Sequence, residues 1–263
     1  MLRPEWIAVL FFAHVAIAAL VRRRMPLVRR LTAGIGAAVA AAAVVAVSRS
    51  GTAALRDWAP VAYILAAYYL SGRTFFSPMP RLESWLAAID RKLLGDPAIF
   101  TAWPQTAIRV LDVAYIGCFL LVPAGFVLLA IAGHGDRAEY YWTLVTGAEL
   151  GAFAALPYLQ TRPPWVLEHL GDPLGKQARR AAVVFMKHAT TGANTLPSGH
   201  AAGSLAVALA VIETLPVEGS ILLAVAVAIS VGAVVTRAHF VVDVVTGAAL
   251  AGVVWCLARA GGA

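Results

Sequence analysis

The sequence predicts an all-α fold, a polytopic transmembrane helical bundle of about eight spans. Two observations predict it. Of the 263 residues, 60% are hydrophobic and only 13% are charged, and the mean hydropathy is +0.78, a composition that ordinary soluble domains do not have. The apolar residues also fall into runs that approach the ~20 residues a helix needs to cross a bilayer, and charged or turn-forming residues bound each run.

These runs follow one another along the whole chain. The first, within residues 1–24, could be a signal peptide, but its arginines follow the apolar stretch instead of preceding it, so we predict a mature transmembrane helix. The second is rich in Ala and Val, which suits a helix in lipid, and the third is short. The spans are expected approximately at residues 5–21, 31–48, 57–72, 109–133, 140–160, 199–215, 219–236 and 239–258.

The chain is basic, with a net charge of +7 and an isoelectric point near 9.8. Nucleic acid is not expected as a partner, because the sequence has no soluble basic domain to form a binding surface. Anionic lipid headgroups are the expected partners. We therefore predict an integral protein of a bacterial-type cytoplasmic membrane.

Two connections, residues 73–108 and 161–198, are longer than helix-to-helix links need to be, and long loops often carry function. The first mixes aromatic and aliphatic residues with Arg81, Arg91 and Lys92. This composition favours an interfacial scaffold helix over a catalytic element.

The second connection closes on "NTLPSGHAAG", residues 194–203. Ser198 is a favourable N-cap, Gly199 lets a ligand approach the backbone, and His200 falls in the first turn of the sixth predicted helix. The free N–H groups of a helix N-terminus form a natural anion site. The alternative is an ordinary capped helix with a partly exposed histidine.

The stretch "TRAHFVVD" places His239 and Asp243 four residues apart, on one face of a helix. Asp243 can then accept the proton on one ring nitrogen of His239 and leave the other nitrogen free to attack. A structural hydrogen bond is the alternative, but an ionisable residue at membrane depth is costly and favours a functional role. Strict alternation of the spans brings Arg162, His200 and His239 to one membrane face.

Two histidines, an aspartate, arginines and a helix N-terminus suit displacement at phosphorus. The rival is a metal site, because two histidines and one aspartate resemble a facial triad. The nearby arginines and the helix N-terminus favour a bound anion over a cation, so we predict neither a metal nor a cofactor.

At these residues the sequence resembles the type 2 phosphatidic acid phosphatase (PAP2) superfamily, whose pattern has three blocks: Lys-x6-Arg-Pro, Pro-Ser-Gly-His and Ser-Arg-x5-His-x3-Asp. "TRPP" matches the end of the first block, "PSGH" the second and "HFVVD" the end of the third. The usual lysine of the first block would fall at Ala155 and the usual arginine of the third at Ala233. The lead-in "NTLPSGH" and the pair Thr236 and Arg237 resemble a divergent branch that includes inositol phosphorylceramide synthases and sphingomyelin-synthase-like transferases.

The resemblance implies a six-helix catalytic core over residues 53–263, preceded by two transmembrane helices in residues 1–52. It implies metal-independent transfer in two steps through a phosphohistidine on a lipid phosphate or diphosphate. The implied roles are His239 as nucleophile, Asp243 as its orienting group, His200 as general acid and then base, and Arg162 with the amides around Ser198 and Gly199 as phosphate ligands. Apart from the resemblance, we consider Arg237, Lys187 and Arg179 as candidates to replace the missing cations.

The resemblance leaves the acceptor open. Water as acceptor gives a phosphatase, and an alcohol gives a lipid phosphotransferase. A non-catalytic lipid-binding or transport protein on the same fold is the rival from another class. The residues give no indication of a protein partner.

The sequence gives conflicting indications of sidedness. The resemblance implies a site that faces away from the cytoplasm, and on that ground we expect an extracytoplasmic site. With eight spans, however, the loop 21–30 lies on the site's face, and its five arginines would make that face cytoplasmic. The two indications agree if one of the first three runs does not span.

Overall fold

The structure is a computed structural model that describes residues 1–50, 52–167 and 191–261. Within these ranges the chain forms helices, turns and one isolated bridge, which confirms the all-α prediction. Short 3₁₀ helices lie at Pro97–Ala102 and Gly135–Arg137. The α-helices are α1 (Arg3–Val21), α2 (Leu27–Arg49), α3 (Ala53–Gly72), α4 (Pro80–Leu94), α5 (Gln105–Ile131), α6 (Ala138–Ala154), α7 (Pro164–Leu167), α8 (Gly199–Ile212), α9 (Pro216–Val235) and α10 (Val241–Ala260).

Every predicted apolar run is helical in the described part of the chain. Five of these helices, α1, α2, α5, α9 and α10, are long and apolar enough to cross a membrane. Helix α8 is also apolar but has only 14 residues. Helix α3 carries Arg56 and Asp57 near its start, and α6 has 17 residues. The chain is a polytopic helical bundle, as predicted.

The predicted span 140–160 is too long. Helix α6 ends at Ala154 and turns follow, because Pro157 lacks an N–H donor and cannot continue the helix. Pro164 begins the one-turn helix α7.

Helices α6 and α8 form the centre of the bundle. Helix α6 packs against α1, α3, α8 and α10, and α8 packs against α5, α9 and α10 as well. Helices α1 and α2 pack against each other as a hairpin, and α1 also contacts α3 and α6. The predicted N-terminal unit, residues 1–52, therefore lies against the predicted core, residues 53–263.

The loop between α1 and α2 lies at the end of the bundle that carries the candidate site. The Arg29 guanidinium donates to the Phe75 carbonyl oxygen at 2.5 Å. The next residue, Phe76, donates its backbone N–H to Oε1 of Gln160 at 3.0 Å, beside the first candidate block. The basic loop and the site therefore lie at the same end of the bundle. They do not lie on opposite faces, as they would if one of the first three runs did not span.

Helix α4 lies across the same end. Its buried face carries Glu83, Leu86 and Asp90, spaced three and four residues apart, while Arg81 and Arg91 are exposed. This amphipathic arrangement suits the interfacial helix that the composition predicts. Its two buried carboxylates, however, contact arginines of the candidate site, so α4 is more than a scaffold.

A glycine sets the distance between α8 and α10. A β-carbon at Gly247 would lie 2.5 Å from the Ser198 carbonyl oxygen and 3.3 Å from the Ala201 β-carbon. The backbone N–H of Ser198 donates to the Asp243 carbonyl oxygen at 2.8 Å. The absence of a side chain at Gly247 therefore allows the start of α8 to lie directly on the first turns of α10.

Replacement of Gly247 by Val is expected to reduce the free energy of unfolding in detergent by about 1–3 kcal/mol, because the added atoms overlap the backbone of α8. The variant Gly252→Val on the same helix is the control, since a β-carbon there meets no heavy atom within 4 Å. Thermal unfolding followed by circular dichroism measures the difference. Equal destabilisation of the two variants would show that the α8–α10 contact is not tight.

Candidate active site

His239 is placed by a sharp turn between α9 and α10. Helix α9 ends at Val235, and Arg237 then adopts a left-handed backbone with φ of 58°, which is uncommon for a residue with a β-carbon. The backbone N–H groups of Ala238 and His239 both donate to the Ala233 carbonyl oxygen at 3.0 Å. This turn holds the imidazole, which is 4% exposed, against the start of α8.

Asp243 orients His239 from the first turn of α10. Its Oδ2 atom lies 3.4 Å from Nδ1 of His239 and accepts the backbone N–H of Phe240 at 2.8 Å. The carboxylate is fully buried. The two side chains therefore meet, as the spacing of four residues predicts. The prediction that they share one helix face is wrong, because His239 lies in the turn before α10, which begins at Val241.

The second histidine faces the first. Nδ1 of His200 lies 3.2 Å from Nε2 of His239. The Tyr115 ring stacks on the His200 ring with a centroid separation of 4.8 Å and an interplanar angle of 28°, and the Phe119 ring meets it edge-on at 5.6 Å. Two aromatic side chains of α5 thus hold His200 beside the free nitrogen of His239.

Asn194 connects the three candidate blocks. Its side-chain amide donates to Asp243 Oδ2 at 2.9 Å and to the Thr161 hydroxyl at 3.0 Å, and its backbone N–H donates to the Thr161 carbonyl oxygen at 2.9 Å. Asn194 is 1% exposed. It is a positioning residue that ties the segment after α6 to the carboxylate behind His239.

Arg162 is paired with a carboxylate of α4. Its guanidinium donates to both oxygens of Glu83, at 3.0 and 2.7 Å, and its backbone N–H donates to the same carboxylate at 2.8 Å. Burial alone would raise the pKa of the Glu83 carboxyl, but the hydrogen bonds and charge of Arg162 outweigh burial and hold this pKa below its usual value. The Arg162 side chain remains 41% exposed, so a phosphate can reach it.

Arg237 is paired with the second carboxylate of α4, and this pair is buried. Its Nη1 atom donates to Oδ2 of Asp90 at 2.8 Å, and the two side chains are 2% and 1% exposed. The other oxygen of Asp90 accepts the backbone N–H of Val241 at 2.9 Å. Asp90 therefore fixes both the turn that carries His239 and the start of α10.

The amides at the start of α8 have partners within the protein. Ser198 caps the helix as predicted, accepting the backbone N–H of Ala201 on its side chain at 3.4 Å. Its own N–H donates to Asp243, and the N–H of Gly199 lies 3.3 Å from the Thr195 hydroxyl. Both amides must exchange these partners before they can bind a phosphate.

Two cationic residues that the family pattern usually contains are replaced by alanine in this chain. Ala155 is the C-cap residue that follows α6, and Ala233 is fully buried. Arg237 lies four residues after Ala233, in the turn that carries His239. Lys187 and Arg179, predicted as further cations, lie outside the described residues.

A cavity of ≈ 270 Å³ opens beside the two histidines. Its walls are apolar and aromatic side chains of α3, α5 and α6, including Ile64, Phe119 and Phe153. Leu65 and Tyr69 line it and are also 46% and 49% exposed, so the cavity opens to the outside of the bundle along α3. A site next to such a cavity can take a phosphate attached to a hydrocarbon chain.

The described residues contain no group of three or more His, Cys, Asp or Glu side chains arranged to hold a metal ion. In His200, His239 and Asp243, the two rings face each other and the carboxylate lies behind one of them. This arrangement suits attack by a nitrogen on an electrophile.

Sequence reasoning did not single out four polar residues of this region. Glu83 and Asp90 face the bundle from an amphipathic helix, and the spacing of charged and apolar residues on α4 was the available signal. Asn194 lay within the quoted "NTLPSGH" segment, where its polar side chain next to the histidine block was the signal. Glu149 lines the cavity from within an apolar span, where any carboxylate is unusual.

Comparison with known proteins identifies the family of this chain. No curated protein and no solved structure matches the chain. A family profile of the PAP2 superfamily matches residues 84–257, a segment that begins in α4 and includes both histidines, Asp243 and Arg162. Because the match covers more than half of the chain and contains the whole histidine site, this protein belongs to the PAP2 superfamily.

Proposed function

We propose that the protein is an integral-membrane lipid phosphatase that hydrolyses a lipid phosphate or diphosphate through a phosphohistidine, without a metal. The observation that carries the proposal is the contact between His239 and His200. A nucleophilic nitrogen, oriented by Asp243 on its far side, lies 3.2 Å from a second imidazole that can exchange protons. Membership of the superfamily supports this class of reaction.

The hydrogen-bond network suggests which nitrogen attacks. If Nδ1–H of His239 donates to Asp243, then Nε2 carries the free lone pair, and His200 donates to it. Nε2 of His239 attacks phosphorus, the bond from phosphorus to the lipid oxygen breaks, and that oxygen takes a proton from protonated His200, which becomes a neutral imidazole. Water then gives a proton to His200 and attacks the phosphohistidine, which releases phosphate and restores both histidines.

The histidine pair must open before reaction. A reacting phosphorus lies about 3–3.5 Å from its nucleophile, so it cannot fit while the two rings are in direct contact. His200 therefore moves away from His239 when the phosphoryl group binds, and its stacking on Tyr115 is the contact that changes. The observed arrangement is a resting state.

Arg162 is the proposed phosphate ligand. Its exposed guanidinium presents two parallel N–H groups, which match two phosphate oxygens as well as they match Glu83. Arg237 is enclosed with Asp90 and acts instead through the turn that holds His239. The phosphate thus replaces Glu83 as the partner of Arg162, while Arg237 stays paired with Asp90.

Transfer to an alcohol would use the same first step and differ only in the acceptor. The lead-in that contains Asn194 resembles the transferase branch, and Asn194 contacts the catalytic carboxylate. The transferase is therefore the alternative to the phosphatase. A phosphatase releases phosphate when water is the only acceptor, whereas a transferase does not.

The variant His239→Ala is expected to lower phosphate release by at least about 10³-fold, because the nucleophile is lost. His200→Ala is expected to lower it by about 10²–10⁴-fold, through loss of the general acid. The measurement is phosphate release by purified protein in detergent with EDTA, from phosphatidic acid, ceramide phosphate, and polyprenyl phosphate and diphosphate.

The control is the thermal unfolding temperature of each variant, which should match that of the wild type. Release that stops with EDTA would contradict the metal-independent reaction. Release that appears only with an added alcohol or inositol acceptor would identify the transferase. No turnover under any condition, together with lipid binding, would identify the non-catalytic rival.

The variant Asn194→Ala is expected to lower kcat by about tenfold with a smaller change in KM, because Asp243 loses one of its donors and orients His239 less firmly. Thr161→Val removes the hydroxyl that accepts the other hydrogen bond of the Asn194 side-chain amide. This variant is expected to lower kcat by less than about threefold. A loss of kcat that is equal in the two variants would indicate a purely structural role for Asn194.

Charge supports a cytoplasmic position for the site, opposite to the expectation from the resemblance. The loop at the site end carries five arginines and lies against the residues that precede the first block. The opposite end carries Arg3, Arg49, Arg56, Arg137 and Arg259, and the last three are each paired with a glutamate. The site end carries Arg73, Arg81, Arg91 and Lys92 in addition to the five arginines of the loop. By the positive-inside rule, the site end faces the cytoplasm.

In this orientation, α10 ends outside the cytoplasm. Alkaline phosphatase fused behind α10 is expected to be active and green fluorescent protein fused there to be dark. Fusions placed after Met25, in the loop at the site end, are the control and should give the reverse result. Fluorescence behind α10 with inactive phosphatase would place the site outside the cytoplasm.

A further inference from the structure

Glu149 is a buried carboxylic acid on the wall of the cavity. It lies in α6, is 9% exposed and lines the cavity together with His200 and His239. Within the described part of the chain, no hydrogen bond or ion pair satisfies its carboxyl group. The proposed phosphoryl transfer does not use this residue.

The carboxyl group lies flat against the start of α8. A β-carbon at Gly203 would lie 1.9 Å from Oε1 of Glu149, and a β-carbon at Gly199 would lie 3.2 Å from Oε2. These glycines are four residues apart and share one helix face. Their missing side chains make the room that the carboxyl group occupies, beside the turn of α8 that carries His200.

A substrate with its phosphorus at the histidine pair and its chain in the cavity would have Glu149 in the wall beside it. The surrounding wall offers hydrocarbon and aromatic rings, such as Ile64 and Phe153. A carboxyl group that is largely removed from bulk water and makes no hydrogen bond within the protein is unfavourable in either protonation state. The ligand itself can supply the missing partner.

We propose that Glu149 hydrogen-bonds a polar group close to the phosphate, and that the substrate is therefore a glycerolipid or sphingolipid phosphate. The partner is an ester, an amide or a hydroxyl in the lipid's linking region. A polyprenyl phosphate has hydrocarbon at that position and would leave the carboxyl group unsatisfied. This inference rests on the proposed function for the position of the phosphorus.

The test compares kcat/KM for phosphatidic acid, ceramide phosphate and polyprenyl phosphate in the wild type, Glu149→Gln and Glu149→Leu. The wild type is expected to favour one of the first two lipids over the polyprenyl phosphate by about tenfold or more. Glu149→Leu should reduce that ratio by about tenfold, whereas Glu149→Gln, which keeps a donor and an acceptor, should reduce it by less than about threefold.

The control variant Ile64→Val changes an apolar part of the same wall and should leave the ratio within about twofold. The glycerolipid and the sphingolipid arms identify which linking region is bound. A wild type that favours polyprenyl phosphate, or a ratio that Glu149→Leu leaves unchanged, would overturn the proposal.

Binding separates this inference from the proposed function. Native mass spectrometry of the wild type and of Glu149→Leu measures the retention of phosphatidic acid against polyprenyl phosphate without any need for turnover. If no lipid is hydrolysed but the wild type retains phosphatidic acid preferentially and Glu149→Leu does not, the inference stands and the phosphatase proposal fails. Equal retention of the two lipids by the wild type would overturn the inference itself.

Discussion

The close contact between the start of α8 and the first turns of α10 is the constraint on which the site depends. Gly247 removes the side chain that would hold the two backbones apart, and the Ser198 N–H then reaches the Asp243 carbonyl oxygen. The two histidines come from these two segments, so the backbone contact sets their 3.2 Å separation. If side chains alone held the two histidines in place, ordering their rotatable bonds would cost conformational entropy. Here the packed backbones provide most of that order before a substrate arrives.

Charge balance explains why α4 lies where it does. An arginine taken out of water is unfavourable unless a carboxylate and further hydrogen bonds satisfy it. Arg237 is nearly fully buried, and Asp90 satisfies it while also binding the start of α10. Arg162 is more exposed, and Glu83 pairs with it at the surface of the bundle. The buried pair therefore fixes the site, whereas the exposed pair is the one that an anion can displace with little loss of packing.

The elements that sequence patterns could predict are those with short-range causes. Apolar runs predict helices in lipid, the spacing of His239 and Asp243 predicts that their side chains meet, and Ser198 before a helical stretch predicts a cap, because each depends on a few neighbouring residues. The pairs of Glu83 and Asp90 with their arginines join residues about 80 and 150 positions apart. Such pairs depend on how helices pack, which no local pattern encodes. The end of α6 was misplaced because apolar residues continue past Pro157, and hydropathy outweighed the proline.

The site lies between an apolar and an aqueous environment, and its two sides serve different parts of one ligand. On one side the cavity opens along α3 through Leu65 and Tyr69, which are exposed where lipid chains would lie. On the other side the guanidinium of Arg162 is accessible at the polar end of the bundle. A lipid phosphate can therefore enter sideways with its chain in hydrocarbon throughout, while its headgroup stays at the polar end. Because the histidines lie where the two environments meet, the bond that the proposed reaction would cleave is the one that separates the apolar product from the polar one.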